Sequence, residues 1–268
     1  MNREKHGHLA LITGASSGIG AELAKCFAEG GFDLVLVARS RDKLERLAEE
    51  LRGRFDRSVQ VIVQDLSDPA ATEELIRKLE SRGIEVRVLV NNAGVGVYGP
   101  FLETDWERER EMIRLNMETL TRLTKALLPG MVRRGEGKIL NVASTAAFQP
   151  GPLMAVYYAS KAYVLSFTEA IAEELRGTGV TVTALCPGPT RTAFGSRAGF
   201  GTSKVFQYGE MDAATVAREG YRGLMAGRKV VIPGLSNRLL TGSVRVLPRG
   251  WVARIMEKIQ RTRNKGGG

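Results

Sequence analysis

Tyr157 and Lys161 stand four positions apart in the helical stretch Tyr157-Tyr158-Ala159-Ser160-Lys161, a spacing that sets both side chains on one helix face. A phenol titrates near about 10 and is a poor base at neutral pH; an adjacent ammonium stabilises the phenolate and lowers that value. Such a pair can protonate an alkoxide or deprotonate an alcohol. The same two residues at this spacing also occur on many exposed helices, so the pair alone is only suggestive. Tyr158 is turned about 100° away from the Lys161 face and is the poorer candidate for the acid. Ser144 ends a strand pattern, where it could cap the next turn of chain or act on a substrate. Asn116 falls inside a long helical pattern, where asparagine has poor propensity and needs a reason to be there.

A second group of residues fits a dinucleotide. The first apolar run leads directly into Thr13-Gly14-Ala15-Ser16-Ser17-Gly18-Ile19-Gly20 and then a helical pattern. Glycine is needed where chain turns tightly, where backbone approaches a pyrophosphate, and where helix meets strand closely. The helix start beyond the turn supplies free N–H groups and partial positive charge for phosphates. Glycine-rich turns are common, but the strand–turn–helix position makes this one far more specific. The second strand ends Val37-Ala38-Arg39-Ser40-Arg41, with no acid before Asp42. An NAD site usually places Asp or Glu there for the ribose 2′-hydroxyl, whereas arginine accommodates a 2′-phosphate through its planar fork. Arg39 therefore points to NADP(H), against the plainer reading of a solvated loop charge.

These groups need a scaffold. Short runs rich in Val, Ile and Leu at Leu9–Thr13, Asp33–Ala38, Val59–Gln64, Val86–Asn91, Gly137–Val142, Val180–Leu185 and Lys229–Ile232 are apolar on both faces, the pattern of buried parallel strands. Helical patterns alternate with them at Gly18–Glu29, Arg41–Arg52, Pro69–Ser81, Asp105–Arg134 and Ala155–Arg176. Asp68 before Pro69 reads as an N-cap with proline at the first helical position. The alternation predicts an α/β fold: a doubly wound, mainly parallel seven-stranded sheet of Rossmann type with helices on both faces and right-handed crossovers. One domain is expected over 1–268, with a cofactor and catalytic core at 1–192, a substrate lid and helix at 193–227, and a last strand with a basic helical extension at 228–268.

Taken together and in order, the motifs resemble the short-chain dehydrogenase/reductase family across about Leu9 to Thr192. They are TGASSGIG at 13–20, Asp65, NNAG at 91–94, Asn116, Ser144, Tyr157-x-x-x-Lys161 and PGPTRT at 187–192. The resemblance implies that Tyr157 is the general acid/base, and that Lys161 lowers its pKa and holds the nicotinamide ribose hydroxyls. It implies that Ser144 orients and polarises the substrate carbonyl, and that Asn116 holds a water relaying protons through Lys161. The implied cofactor set includes Gly14, Ser16, Ser17, Gly18, Ile19 and Gly20 of the turn, and Arg39. Asp65 with Leu66 would contact the adenine, and Asn91 with Asn92, Ala93 and Gly94 would line the groove. Pro187, Gly188 and Thr190 belong to the same set, and Thr192 would meet the nicotinamide end. The subgroup it resembles contains broad carbonyl, long-chain ketoacyl and hydroxysteroid reductases.

Composition narrows the rest. The chain has 268 residues, 43% hydrophobic and 25% charged, the balance of an ordinary globular protein. Its two cysteines, Cys26 and Cys186, are too few and too poorly spaced for a zinc site and read as small core residues. No metal is expected. No run approaches the roughly eighteen apolar residues of a membrane span, no leader peptide is recognisable, and a cytoplasmic location is expected. The net charge of +10 is uneven. From Arg228 onward there are ten basic residues and one acid, a local charge of +9.

Within that basic end, Trp251–Arg263 is a helix candidate carrying Trp251, Val252, Ile255, Met256 and Ile259 amid Arg and Lys. It fits peripheral contact with an anionic membrane, closure of the substrate pocket, packing against another subunit, or a solvated face. Packing is favoured over membrane contact because the apolar residues are few. Nucleic-acid binding is not expected, since no such motif accompanies the charge. Phe194, Phe200, Phe206 and Tyr208 in Ala193–Met211, where the family has a lid, suggest an apolar or aromatic carbonyl or alcohol as the small-molecule substrate. The alternatives are a membrane-surface 3-ketoacyl or hydroxysteroid reductase, and a non-catalytic NADP-binding sensor or scaffold. The intact set Asn116, Ser144, Tyr157 and Lys161 speaks against the last. The resemblance further implies a homodimer or homotetramer.

Overall fold

The computed structural model describes residues 8–198, 210–244 and 247–261. Its centre is a parallel sheet of seven strands: β1 (Leu9–Thr13), β2 (Asp33–Ala38), β3 (Val59–Val63), β4 (Val88–Asn91), β5 (Gly137–Val142), β6 (Val180–Leu185) and a two-residue edge, β9 (Val230–Val231). The order is β3-β2-β1-β4-β5-β6-β9, with a separate parallel pair, β7 (Thr190–Arg191) and β8 (Met211–Asp212). Strand order reverses between β1 and β4, and in open sheets of this kind ligands bind beyond the strand ends at that point.

Alternation along each strand divides the core between the two faces. Ala10, Ile12, Leu34 and Leu36 turn to one side, where they meet Leu23 and Phe27 of α1 (Gly18–Glu29), Leu44 and Leu51 of α2 (Arg41–Phe55), and Val216 and Leu224. Leu11, Val35 and Val37 turn to the other, against Leu75 and Leu79 of α3 (Pro69–Ser81), and Leu115 and Leu123. Having both faces covered is why these strands lack a polar side. Asp68 caps α3 by accepting from the Ala70 N–H at 2.9 Å, with Pro69 behind it as expected.

The long helical pattern is interrupted. α4 (Trp106–Ile113) passes into a π-helical turn, Arg114–Thr119, before α5 (Leu120–Arg134). Asn116 lies in that wider turn, and such insertions concentrate at functional sites. α6 (Ala155–Glu174) comes after β5. Beyond β7 come the short α7 (Phe194–Arg197), then α8 (Ala213–Met225), α9 (Leu235–Val244) and α10 (Arg249–Arg261). Sequence periodicity does not anticipate α9, and α10 begins two residues before the expected helix. Cys186 is fully buried, while Cys26 is only half-buried.

Candidate active site

β1 runs into the glycine-rich turn because Thr13 ties it to the neighbouring strand end. The Thr13 Oγ1 accepts from the N–H groups of Asn92 (3.0 Å) and Ala93 (3.0 Å) and donates to the Val90 carbonyl (3.2 Å). The Asn92 amide reaches back to the carbonyls of Thr13 and Gly14. Gly14 has φ +66°, a conformation other residues rarely adopt. A Cβ on Gly20 would collide with the Asn92 amide and the Gly14 carbonyl, so α1 can start this close to β4 only with glycine there. The turn and the start of α1 form a cradle that side chains would fill.

A cleft of about 420 Å³ opens from this cradle across the strand ends. Gly14, Ser16, Ser17, Gly18 and Ile19 form its floor, with Arg39, Asp65 and Leu66 at one end. Asn92, Ala93 and Gly94 line its middle, and Pro187, Gly188, Thr190 and Thr192 its far wall. Ser144, Tyr157 and Lys161 lie at the other end. Gly20 and Asn116 stand behind the surface, and Asn91 is buried in the sheet. Arg39 is exposed and sits 3.5 Å from both Asp65 Oδ2 and Glu111 Oε1. Burial opposes ionisation of Asp65, but hydrogen bonds from Ser67 and the Arg39 charge outweigh it and hold the carboxyl below its ordinary value.

Ser144 extends from the end of β5. Its Oγ accepts from the Ala146 N–H (3.1 Å), lies 3.4 Å from the Pro187 carbonyl, and contacts the Tyr157 hydroxyl. Lys161, buried one helical turn from Tyr157, donates to the Val142 carbonyl at 2.9 Å, and its Nζ lies 5.8 Å from the Tyr157 ring centre. Burial pushes the Lys161 ammonium down to about 8. Burial pushes the Tyr157 phenol well above its ordinary value, only partly offset by the Ser144 hydrogen bond. The lowering of Tyr157 expected from Lys161 is not found: desolvation is the largest cause and only the Ser144 hydrogen bond opposes it. Asn116 engages protein with its side chain: Oδ1 accepts from the Val95 N–H (3.0 Å), and Nδ2 donates to the Val95 carbonyl (3.0 Å) and Ser160 Oγ (3.1 Å). It fastens the chain after β4 to α6.

Among the cleft residues, Lys43 and Gln260 escape sequence reasoning. Lys43 on α2 joins Arg39 at the adenine end of the expected groove. Met154, Tyr98, Tyr158 and Phe194 make an apolar wall beside Tyr157. Gln260, from α10, closes that wall: its Nε2 donates to the Tyr158 hydroxyl (3.0 Å), and its main-chain carbonyl accepts from the Tyr98 hydroxyl (3.2 Å). Pairs 102 and 162 residues apart leave no local signal. The expected lid residues Phe200, Phe206 and Tyr208 lie outside the described residues. Among the described residues no cluster of His, Cys, Asp and Glu could hold a metal.

A parallel sheet with a phosphate-type cradle at its switch point, and a tyrosine, serine and lysine at the end of one cleft, defines a dinucleotide-binding oxidoreductase. The sequence model described as short chain dehydrogenase matches residues 8–203, and the chain belongs to that family, whose members use a nicotinamide cofactor. The human very-long-chain 3-oxoacyl-CoA reductase is 35% identical over 187 residues, which make up 68% of this chain and 59% of that protein. The chain thus spans about three fifths of that relative's length. A short-chain dehydrogenase from Sphingobium yanoikuyae, solved with NADPH, superposes with a TM-score of 0.80 at 34% identity, covering 90% of this chain and 96% of that one. A family member from Burkholderia phymatum, solved with NAD, gives a TM-score of 0.80 at 26% identity, covering 98% and 97%.

Proposed function

We propose that the protein is an NADP(H)-dependent carbonyl reductase or alcohol dehydrogenase acting on an apolar or aromatic ketone, aldehyde or secondary alcohol. The observation that carries this reading is the single cleft joining two cations, Arg39 and Lys43, to the Ser144–Tyr157 contact.

The cofactor fits the residues present. The turn at Gly14–Gly20 and the start of α1 would take the pyrophosphate, Arg39 and Lys43 the 2′-phosphate, and Asp65 and Leu66 the adenine. Lys161 would hold the nicotinamide ribose hydroxyls. When bound, the reduced nicotinamide supplies the hydride. The chain's own residues do the remainder. Ser144 Oγ donates a hydrogen bond to the carbonyl oxygen and fixes its orientation. The Tyr157 hydroxyl, kept protonated by its burial, donates a proton to that oxygen as negative charge develops on it. Lys161 holds its ammonium close to the phenol and stabilises the phenolate left behind. Asn116 positions α6 against the chain after β4, and a relay water would use its main-chain carbonyl, since its amide is already engaged.

Exposed ion pairs such as Arg39 with Asp65 and Glu111 are worth little and yield readily to a phosphate. Oxidation of NADPH and of NADH should be followed in parallel with aromatic ketones, aldehydes, diketones, ketosteroids and 3-ketoacyl thioesters. Turnover with NADPH well above NADH is expected for at least one apolar carbonyl compound. Equal use of both cofactors would contradict the Arg39 assignment, and tight NADPH binding with no turnover would favour a sensor.

A further inference from the structure

The helix that closes the cleft has a second side. On α10, Val252, Met256 and Gln260 recur every four residues and turn inward: Val252 is 4% exposed, and Met256 Sδ lies 3.4 Å from Gln149 Nε2. The neighbouring stripe, Trp251, Ile255 and Ile259, is 63%, 49% and 42% exposed. α9 repeats the arrangement, with Asn237 and Thr241 buried and Leu235 and Leu239 exposed by 71% and 67%. Seven of the twelve exposed large hydrophobic side chains among the described residues lie between Leu235 and Ile259. Single exposed apolar residues are ordinary, but a row of three along one helix, as on α10, marks an interaction surface. Arg254 and Lys258 flank the α10 stripe, within a region that carries +9 of the chain's +10 charge.

We propose that the outer side of α9 and α10 docks on the surface of an anionic lipid bilayer, with α10 lying in the plane of the interface. Charge decides the occupant. An apolar stripe flanked by basic side chains suits acyl chains beneath anionic headgroups. A second copy of the chain would bring Arg254 and Lys258 of one α10 against the same cations of the other, and nucleic acid would leave the apolar rows in water. No helix among the described residues is long and apolar enough to cross a membrane, so the contact is peripheral. The same helix carries Gln260 into the cleft, so docking would place the substrate end of the site beside the lipid; that consequence rests on the functional reading above, whereas the docking itself does not.

The test is co-sedimentation of the full chain with sucrose-loaded vesicles of phosphatidylcholine alone or mixed with phosphatidylglycerol. Binding is expected only to the mixed vesicles, with release by salt. Trp251→Ser with Ile255→Ser should abolish it. Arg254→Gln with Lys258→Gln should weaken it by about fivefold per residue. NADPH binding and turnover of a soluble ketone should be unchanged in both variants. Should either variant fail to fold, Trp251 emission in a Trp106→Phe background serves instead, since the chain has only two tryptophans; a blue shift on adding mixed vesicles is expected. Absence of binding, equal binding to neutral vesicles, or an unshifted Trp251 emission would overturn the proposal. So would an assembly of the wild-type chain that the serine variant dissociates, because a second copy would then cover the face.

Discussion

At the scale of single residues, the site is governed by what burial does to its two ionisable groups. Lys161 titrates in the unfolded chain near 10.5 and is held down to about 8 in the fold. Its ammonium is therefore present below that pH and lost as pH rises through it, while Tyr157, raised rather than lowered, stays protonated over the same range. The pH profile of kcat/KM for reduction, which reports the free enzyme, should fall as pH rises through about 8. Lys161→Met should remove that limb along with most activity; a flat profile in the wild type would contradict the assignment. Arg39→Ala removes a charge-assisted bond worth about 1.5–3 kcal/mol, so preference for NADPH over NADH should drop by about 10- to 150-fold, read from the two kcat/KM values. Tyr157, Lys161 and Arg39, which the fold brings to one cleft, stand out in the sequence because their reading depends on near neighbours. Lys43 was not, since only the packing of α2 beside the end of β2 brings it to the cleft.

At the scale of elements, the strand ends are held together by buried polar side chains. Asn91 Nδ2 donates to Asn141 Oδ1 (2.9 Å) and Thr124 Oγ1 (3.1 Å), and Asn141 Nδ2 donates to Thr168 Oγ1 (2.9 Å). This chain of bonds ties β4 and β5 to α5 and α6, the elements that aim Asn116 and Tyr157. Asn141→Ala leaves buried partners unsatisfied and should cost about 1–3 kcal/mol, measurable by urea unfolding; an unchanged midpoint would show the network to be dispensable. Most elements were visible from their apolar patterns alone, including β1, β2, β5 and β6 with their full bounds. The π turn at Arg114–Thr119 was not, because its residues continue the same apolar stripe and only the hydrogen-bond step widens. Nor was α9, where Ser236, Asn237, Thr241, Gly242 and Ser243 are weak helix formers held by tertiary contacts. β9 shrinks to two residues, as expected of an edge paired on one side only.

At the scale of the whole molecule, the basic extension is part of the site and not an appendage. The sequence left pocket closure, subunit packing, membrane contact and solvation as alternatives for α10, with packing favoured over membrane contact. Three-dimensional placement assigns its inner face to the cleft through Gln260 and leaves its outer face exposed. Ending the chain at Pro248 should therefore raise KM for a bulky apolar ketone several-fold while NADPH affinity holds, as measured by cofactor fluorescence and initial rates. Loss of cofactor binding in that variant would instead make α10 a requirement of the fold.

Tyr157 carries the central step of the proposed chemistry. Replacing Tyr157 by Phe keeps the ring, its packing against Phe194 and the cleft, and removes only the hydroxyl that faces Ser144. NADPH binding and carbonyl reduction should be measured side by side in this variant and the wild type. Unchanged NADPH affinity with turnover lost is the expected result; turnover near the wild-type rate would contradict the role given to Tyr157.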